Sequence, residues 1–134
     1  MDEATRGETD AWLIKARRDL DSAKRLLAGD PPFRDTAAYH CHQAGEKAIK
    51  ALLAATKVSF PKTHDLTVLI GLAESRLPSI ATCREAAIVL TPYATLFRYP
   101  DAFPEPDDQD LREAVALAEQ LMDIVTEELA LLGS

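Results

Sequence analysis

Apolar residues recur every three or four positions along most of this chain, the spacing of helices that each bury one face. Between residues 10 and 28, Trp12, Ala16, Ala23 and Leu27 mark such a stripe, with Leu20 and Leu26 beside it. Thr9 or Asp10 can cap this first helix, and Gly29 followed by Pro31-Pro32 ends it. The spacing predicts a second helix over residues 35–57. Ala37, Cys41, Ala44, Ala48, Ala51 and Ala55 step along it by 4, 3, 4, 3 and 4, with Leu52 alongside. The seam consists of small residues, so a neighbouring helix can approach closely. Gly45 inside it costs about 1 kcal/mol against Ala, and a close contact there would offset that cost.

Phe60-Pro61-Lys62 reads as a linker. A short third helix follows over about 64–75, carrying Leu66, Leu69, Ile70 and Ala73, with His64 beside a Thr63 cap. Pro78-Ser79 opens a fourth, about 79–98, on which Ile80, Cys83, Ala87, Leu90, Ala94 and Phe97 recur at helical spacing. Pro92 should kink it, because it removes a backbone donor and crowds the preceding turn. Pro100, Pro104 and Pro106 then break the chain. The last helix, about 108–132, has the seam Leu111, Val115, Ala118, Met122, Val125, Leu129 and Leu132, and acids at its start that suit the helix dipole. With no strand signal, the expected architecture is all-α. It is an antiparallel up-and-down bundle of four long helices plus one short helix, in one domain spanning residues 1–134.

Composition agrees with this. Ala and Leu dominate, and aromatics make up only 6%. Charge adds a constraint. The formal net charge is −7, which argues against a generic grip on nucleic acid. It is unevenly spread, however. Residues 1–100 carry 14 Lys and Arg against 12 acids, whereas the remainder carries only Arg112 against 10 acids. A local basic face on the first two-thirds is therefore compatible with the total. No apolar run reaches the roughly 18 residues of a membrane span, and no signal peptide is recognisable. A cytoplasmic protein with reduced thiols at Cys41 and Cys83 is expected.

The stretch YHCHQAGEKAIKALL, residues 39–53, holds ligand-type residues. His40 and His42 diverge by about 200° around a helix and cannot share a metal within it. Neither HExxH nor ExxH occurs, so no metal and no cofactor is expected. Cys41 falls on the small-residue seam and reads as a buried thiol. His40, Gln43, Lys47 and Lys50 form a polar ridge, either a solvated face with a Glu46–Lys50 ion pair or a surface for an anion or partner. Arg98-Tyr99-Pro100-Asp101 is either a helix end or a corner that presents an arginine to phosphate. No Gly-rich phosphate loop, GxSxG or CxxC is present.

The chain resembles the HEPN domain family. The resemblance runs through Trp12 with Ala16-Arg17-Arg18-Asp19-Leu20, then Tyr39-His40 with Gln43-Ala44-Gly45-Glu46-Lys47-Ala48 and Lys50-Ala51-Leu52-Leu53. It continues through Pro61-Lys62-Thr63-His64-Asp65-Leu66 and Arg98-Tyr99-Pro100-Asp101, and so spans about residues 10–130. It implies a helical bundle, usually homodimeric, often acting with a minimal nucleotidyltransferase partner as a toxin–antitoxin pair. Many members are metal-independent ribonucleases with an Arg followed four to six residues later by a His. Arg98 can match the arginine, but Phe103, Pro104 and Glu105 occupy the histidine positions and no His follows anywhere. Gly45 also departs from the commoner Ala.

The expected function is thus a non-catalytic HEPN module. It would dimerise and bind a nucleotidyltransferase partner, a nucleotide or RNA through Arg98, Tyr99, Lys47, Lys50, His40 and Gln43. The alternatives are a degenerate endoribonuclease, with Arg98 and His64 or His40 in catalytic roles, and a structural dimerisation scaffold. Ala48→Glu is expected to destabilise strongly and Lys50→Ala to be nearly neutral.

Overall fold

Asp2 starts the first helix earlier than the apolar stripe suggests. The computed structural model describes residues 1–97, 99–100 and 105–133, and every regular element among them is helical. Helix α1 runs Glu3–Ala28, and its first turn is capped by Asp2, whose carboxylate accepts from the Thr5 amide at 2.7 Å. The cap is therefore neither Thr9 nor Asp10. Thr9 instead lies buried inside the helix, its hydroxyl donating to the Thr5 carbonyl.

Helix α2 spans Arg34–Ala55 and ends where Lys57 turns to a left-handed φ of 57°, with Lys57 and Val58 amides closing on the Ala54 and Leu53 carbonyls. Helix α3 spans Leu66–Glu74 and is capped by Asp65, which accepts from the Thr67 amide. His64 is thus outside the helix, and the Thr63 hydroxyl accepts from the Asp65 amide instead of capping the helix.

The fourth element is built in three pieces rather than as one kinked helix. A 3-10 segment, Pro78–Cys83, runs into α4, Arg84–Leu90, and a second 3-10 segment, Thr91–Ala94, follows. Pro92 has no amide to give the α-helical ladder, so the winding tightens where it enters. Helix α5, Asp108–Leu132, starts with a full capping box: Asp107 accepts from the Asp110 amide and Asp110 accepts from the Asp107 amide.

Ion pairs fix the directions of the helices. Asp19 meets His40 and Lys47 while Asp2 meets Lys57, so α1 and α2 run antiparallel. Arg34 meets Asp108, which sets the start of α5 beside the start of α2. Ser79 bonds Glu128 near the far end of α5, so the fourth element opposes α5. The topology is up-down-up-down, as expected.

Helix α2 packs against all four other helices. Of its 22 residues, 13 are buried, and Ala37, Cys41, Ala44, Ala48 and Ala51 of the seam are completely so. Gly45 marks the closest approach. A Cβ there would lie 3.2 Å from both Leu121 and Leu90 side chains and 3.4 Å from that of Leu66. Three elements therefore converge on one glycine, which accounts for its place in the helix interior. Among the described residues, no helix is long and apolar enough to cross a membrane.

Candidate functional site

At 100° per residue, the buried seam of α2 occupies a little over half of its circumference. The remaining arc runs, in angular order, through His42, Glu46, Lys50, Gln43, Lys47 and His40. His42 and Glu46 sit at the edge of the core arc, and both are buried. A carboxylate this far from water needs partners, and the structure supplies three. Glu46 Oε1 lies 2.8 Å from His64 Nδ1 and 3.3 Å from His42 Nε2, and Oε2 accepts from Lys50 Nζ at 3.1 Å. Burial alone would raise this carboxyl, but the three bonds outweigh it and hold it at about 2.

The other side of His42 is also engaged. Its Nδ1 lies 2.9 Å from the Leu90 carbonyl oxygen, which can only accept, so Nδ1 carries a proton. His64 reaches Glu46 because the chain before α3 is held by the Asp65 cap, while most of its own ring, 68% of the side chain, stays exposed. The His42 and His64 rings meet edge-on at 6.0 Å. Lys50 is closed in from outside by aromatic rings, its Nζ 5.3 Å from the Trp12 centroid and 5.6 Å from that of Phe60.

A second network lies further round α2. Asp19 of α1, also buried, accepts from Lys47 Nζ at 2.6 Å and lies 2.8 Å from His40 Nδ1. Gln43 falls between the two networks, and its Oε1 is buried with no hydrogen-bond partner among the described residues. His40, His42 and both lysines of α2 thus gather on one arc, joined by His64 from the loop before α3, and among the described residues Glu46 and Asp19 are the carboxylates that meet them.

The polar ridge expected from spacing is present, but its lysines are not free cations. Lys47 and Lys50 are each tied to a buried carboxylate. The predicted Glu46–Lys50 pair exists, as one bond of a larger network. Because Lys50 is packed between Glu46 and two rings, the expectation of a neutral Lys50→Ala is revised. Arg98 lies outside the described residues. Tyr99 is 66% exposed. Phe97, just before this corner, shares a recess with Asp35, Thr36 and Tyr39, and the Tyr39 ring stands beside that of His40. Glu46, Asp19, His42 and Trp12 were not singled out from sequence as site residues. Apart from the i, i+4 contacts of Glu46 with His42 and Lys50, their role depends on contacts between elements that no local spacing encodes. Cys41 is a core thiol as expected, and burial pushes it up to about 12.

The sequence model of the HEPN domain family matches residues 9–129. Among solved structures, an archaeal HEPN homologue is similar at 25% identity and a TM-score of 0.71, over 90% of this chain and 96% of that one. A Thermus thermophilus protein is similar at 30% identity and a TM-score of 0.72, over 89% of this chain and 96% of that one. Among curated proteins, none matches.

Proposed function

Because this chain belongs to the HEPN domain family, we propose that it works as a non-catalytic HEPN module. In this reading it is a homodimer that engages a nucleotidyltransferase partner in a toxin–antitoxin-like pair. It takes a nucleotide or an RNA segment on the polar arc of α2, with Tyr99 and Arg98 as further candidate contacts. The observation that carries the reading is the Gln43 carbonyl, without a hydrogen-bond partner among the described residues, between two networks rich in nitrogen donors. A buried acceptor without a donor is rare and calls for a partner. Nucleotides offer both complements: ribose hydroxyls and base amines donate, and phosphate oxygens accept from Lys and His. The sequence supports the non-catalytic part, since no histidine follows Arg98.

A second reading has one observation of its own. His64 directs Nδ1 at a buried carboxylate and leaves Nε2 on an exposed ring, the arrangement of an oriented general base. That favours a residual metal-independent endoribonuclease in which His64 and Arg98 take the catalytic roles.

One experiment separates them. Labelled single-stranded RNA and a fluorescent ATP analogue are titrated with wild-type, Lys47→Ala, His64→Ala and Arg98→Ala proteins, without metal. The expected result is saturable binding that Lys47→Ala weakens roughly tenfold, the loss of one charge-assisted bond, with intact RNA in every lane. RNA cleavage abolished by His64→Ala or Arg98→Ala would replace the binding module with the nuclease. No binding at all by folded protein would leave the structural scaffold.

A further inference from the structure

His42, Glu46 and His64 bring together two imidazole nitrogens and a carboxylate oxygen within 4.8 Å of one another. We infer that these three residues form a binding site for a zinc-like divalent cation. This inference does not depend on the nucleotide reading. The spacing argument against a metal concerned His40 and His42, and those two do stay apart, in separate networks. The third ligand comes from outside the helix, eighteen residues beyond Glu46.

The hydrogen bonding around His42 and Glu46 is what a metal centre requires. Metal-bound histidines hold their second nitrogen on a carbonyl or carboxylate, which fixes the tautomer. His42 does so through Nδ1 on the Leu90 carbonyl at 2.9 Å, which leaves Nε2 facing Glu46 Oε1 3.3 Å away. A metal ion there would take the place of the proton that otherwise bridges this nitrogen and the carboxylate oxygen. Glu46 is braced in the same way, since Lys50 holds Oε2 and leaves Oε1 facing the imidazoles. Zinc bonds of about 2.0–2.1 Å put tetrahedral ligands about 3.3 Å apart. The His42–Glu46 distance of 3.3 Å already has that value, the His64–Glu46 distance of 2.8 Å opens slightly, and the two imidazole nitrogens, within 4.8 Å of each other, move together on binding.

The donor set decides the metal class. Two imidazoles and one carboxylate suit zinc, cobalt or nickel rather than magnesium or calcium, which prefer oxygen. His64 lies at the mouth of the site and His42 at its floor, so the fourth position opens toward solvent. Three protein ligands and an open position make a site that takes water or an anion oxygen. The Lys50 ammonium opposes a cation there and limits the affinity.

The test is a titration of the full chain, freed of metal by chelation, with Co²⁺ followed by visible absorption and with Zn²⁺ followed by calorimetry. One equivalent is expected to bind, with tetrahedral d–d bands and no thiolate charge-transfer band. His64→Ala, an exposed position that leaves the core intact, is expected to weaken binding at least tenfold. His40→Ala, in the other network, is expected to leave it unchanged. Glu46→Gln is expected to weaken binding as His64→Ala does. Absence of stoichiometric binding to folded wild-type protein would overturn the inference. So would equal affinity in His64→Ala, or equal loss in His40→Ala.

Discussion

Asp19 holds two nitrogen donors at once, Lys47 and His40, from a position with little access to water. Asp19→Ala removes the acceptor and leaves both donors facing a vacated site. The lysine can partly swing out to water, which limits the loss. A destabilisation of about 1–3 kcal/mol is expected, read as a lower midpoint in urea unfolding at constant m-value. Lys50→Ala should also register, at about 1–2 kcal/mol, because it uncovers Glu46 and empties the space between Trp12 and Phe60. The thiols behave oppositely to these charged groups. Burial raises Cys41 to about 12 and Cys83 to about 11, so neither forms thiolate at ordinary pH. In the folded protein at pH 8, Ellman's reagent should find essentially no reactive thiol, and two should appear on adding denaturant. Rapid labelling of the native chain would show that the α2 seam opens readily.

Two glycines inside helices separate propensity from packing at the scale of elements. Gly71 lies in α3, and a Cβ there would meet nothing within 4 Å. Gly71→Ala should therefore stabilise by about 0.5–1 kcal/mol, the ordinary helix gain. Gly45→Ala would gain the same propensity but press a methyl against leucines from three elements, two of them at 3.2 Å. Overpacking of about 1–3 kcal/mol exceeds that gain, and a net loss of about 1 kcal/mol is expected. Thermal melts of the two variants should move in opposite directions. The same contrast explains what was legible in the sequence. The stripes on α2 and α5 were readable because burial itself has the helical period. The early start of α1 was not, because among residues 3–9 only Thr9 is buried and the cap is a single exposed Asp2. The division of the fourth element into 3-10 and α pieces depends on how two prolines are accommodated by their neighbours. On the site, the arc of α2 and its Glu46–Lys50 pair were visible from spacing, but the contacts that reach it from elsewhere were not. Asp19 approaches from α1, and His64 reaches Glu46 from a loop, contacts that only the assembled bundle creates.

The bundle as a whole is organised about α2, so a charge in its seam tests the architecture. Ala48 is completely buried. Ala48→Glu should cost more than about 4 kcal/mol and prevent cooperative folding, seen as the loss of a sigmoidal circular-dichroism melt. A folded variant with a modest shift would mean that the helices part there without consequence. Charge at the same scale constrains the proposed RNA ligand. The molecule carries a net −7, and the α2 lysines are already compensated by Glu46 and Asp19. Binding on that arc can therefore displace few counterions. Single strands give a salt slope of about −0.7 per phosphate neutralised, so two lysine contacts imply a slope of about −1.4 in log affinity against log salt. An α1 surface offers a different outcome. Arg17, Arg18 and Arg25 are all exposed and line one recess with Ile14 and Ser22. If RNA bound there instead of on α2, three arginine contacts would steepen the slope to about −2.1, and Lys47→Ala would leave it unchanged. Fluorescence anisotropy across a range of salt, with Lys47→Ala in parallel, reads both quantities. A shallow slope that becomes shallower in the variant places the ligand on the α2 arc, and a steep slope indifferent to Lys47 moves it to α1.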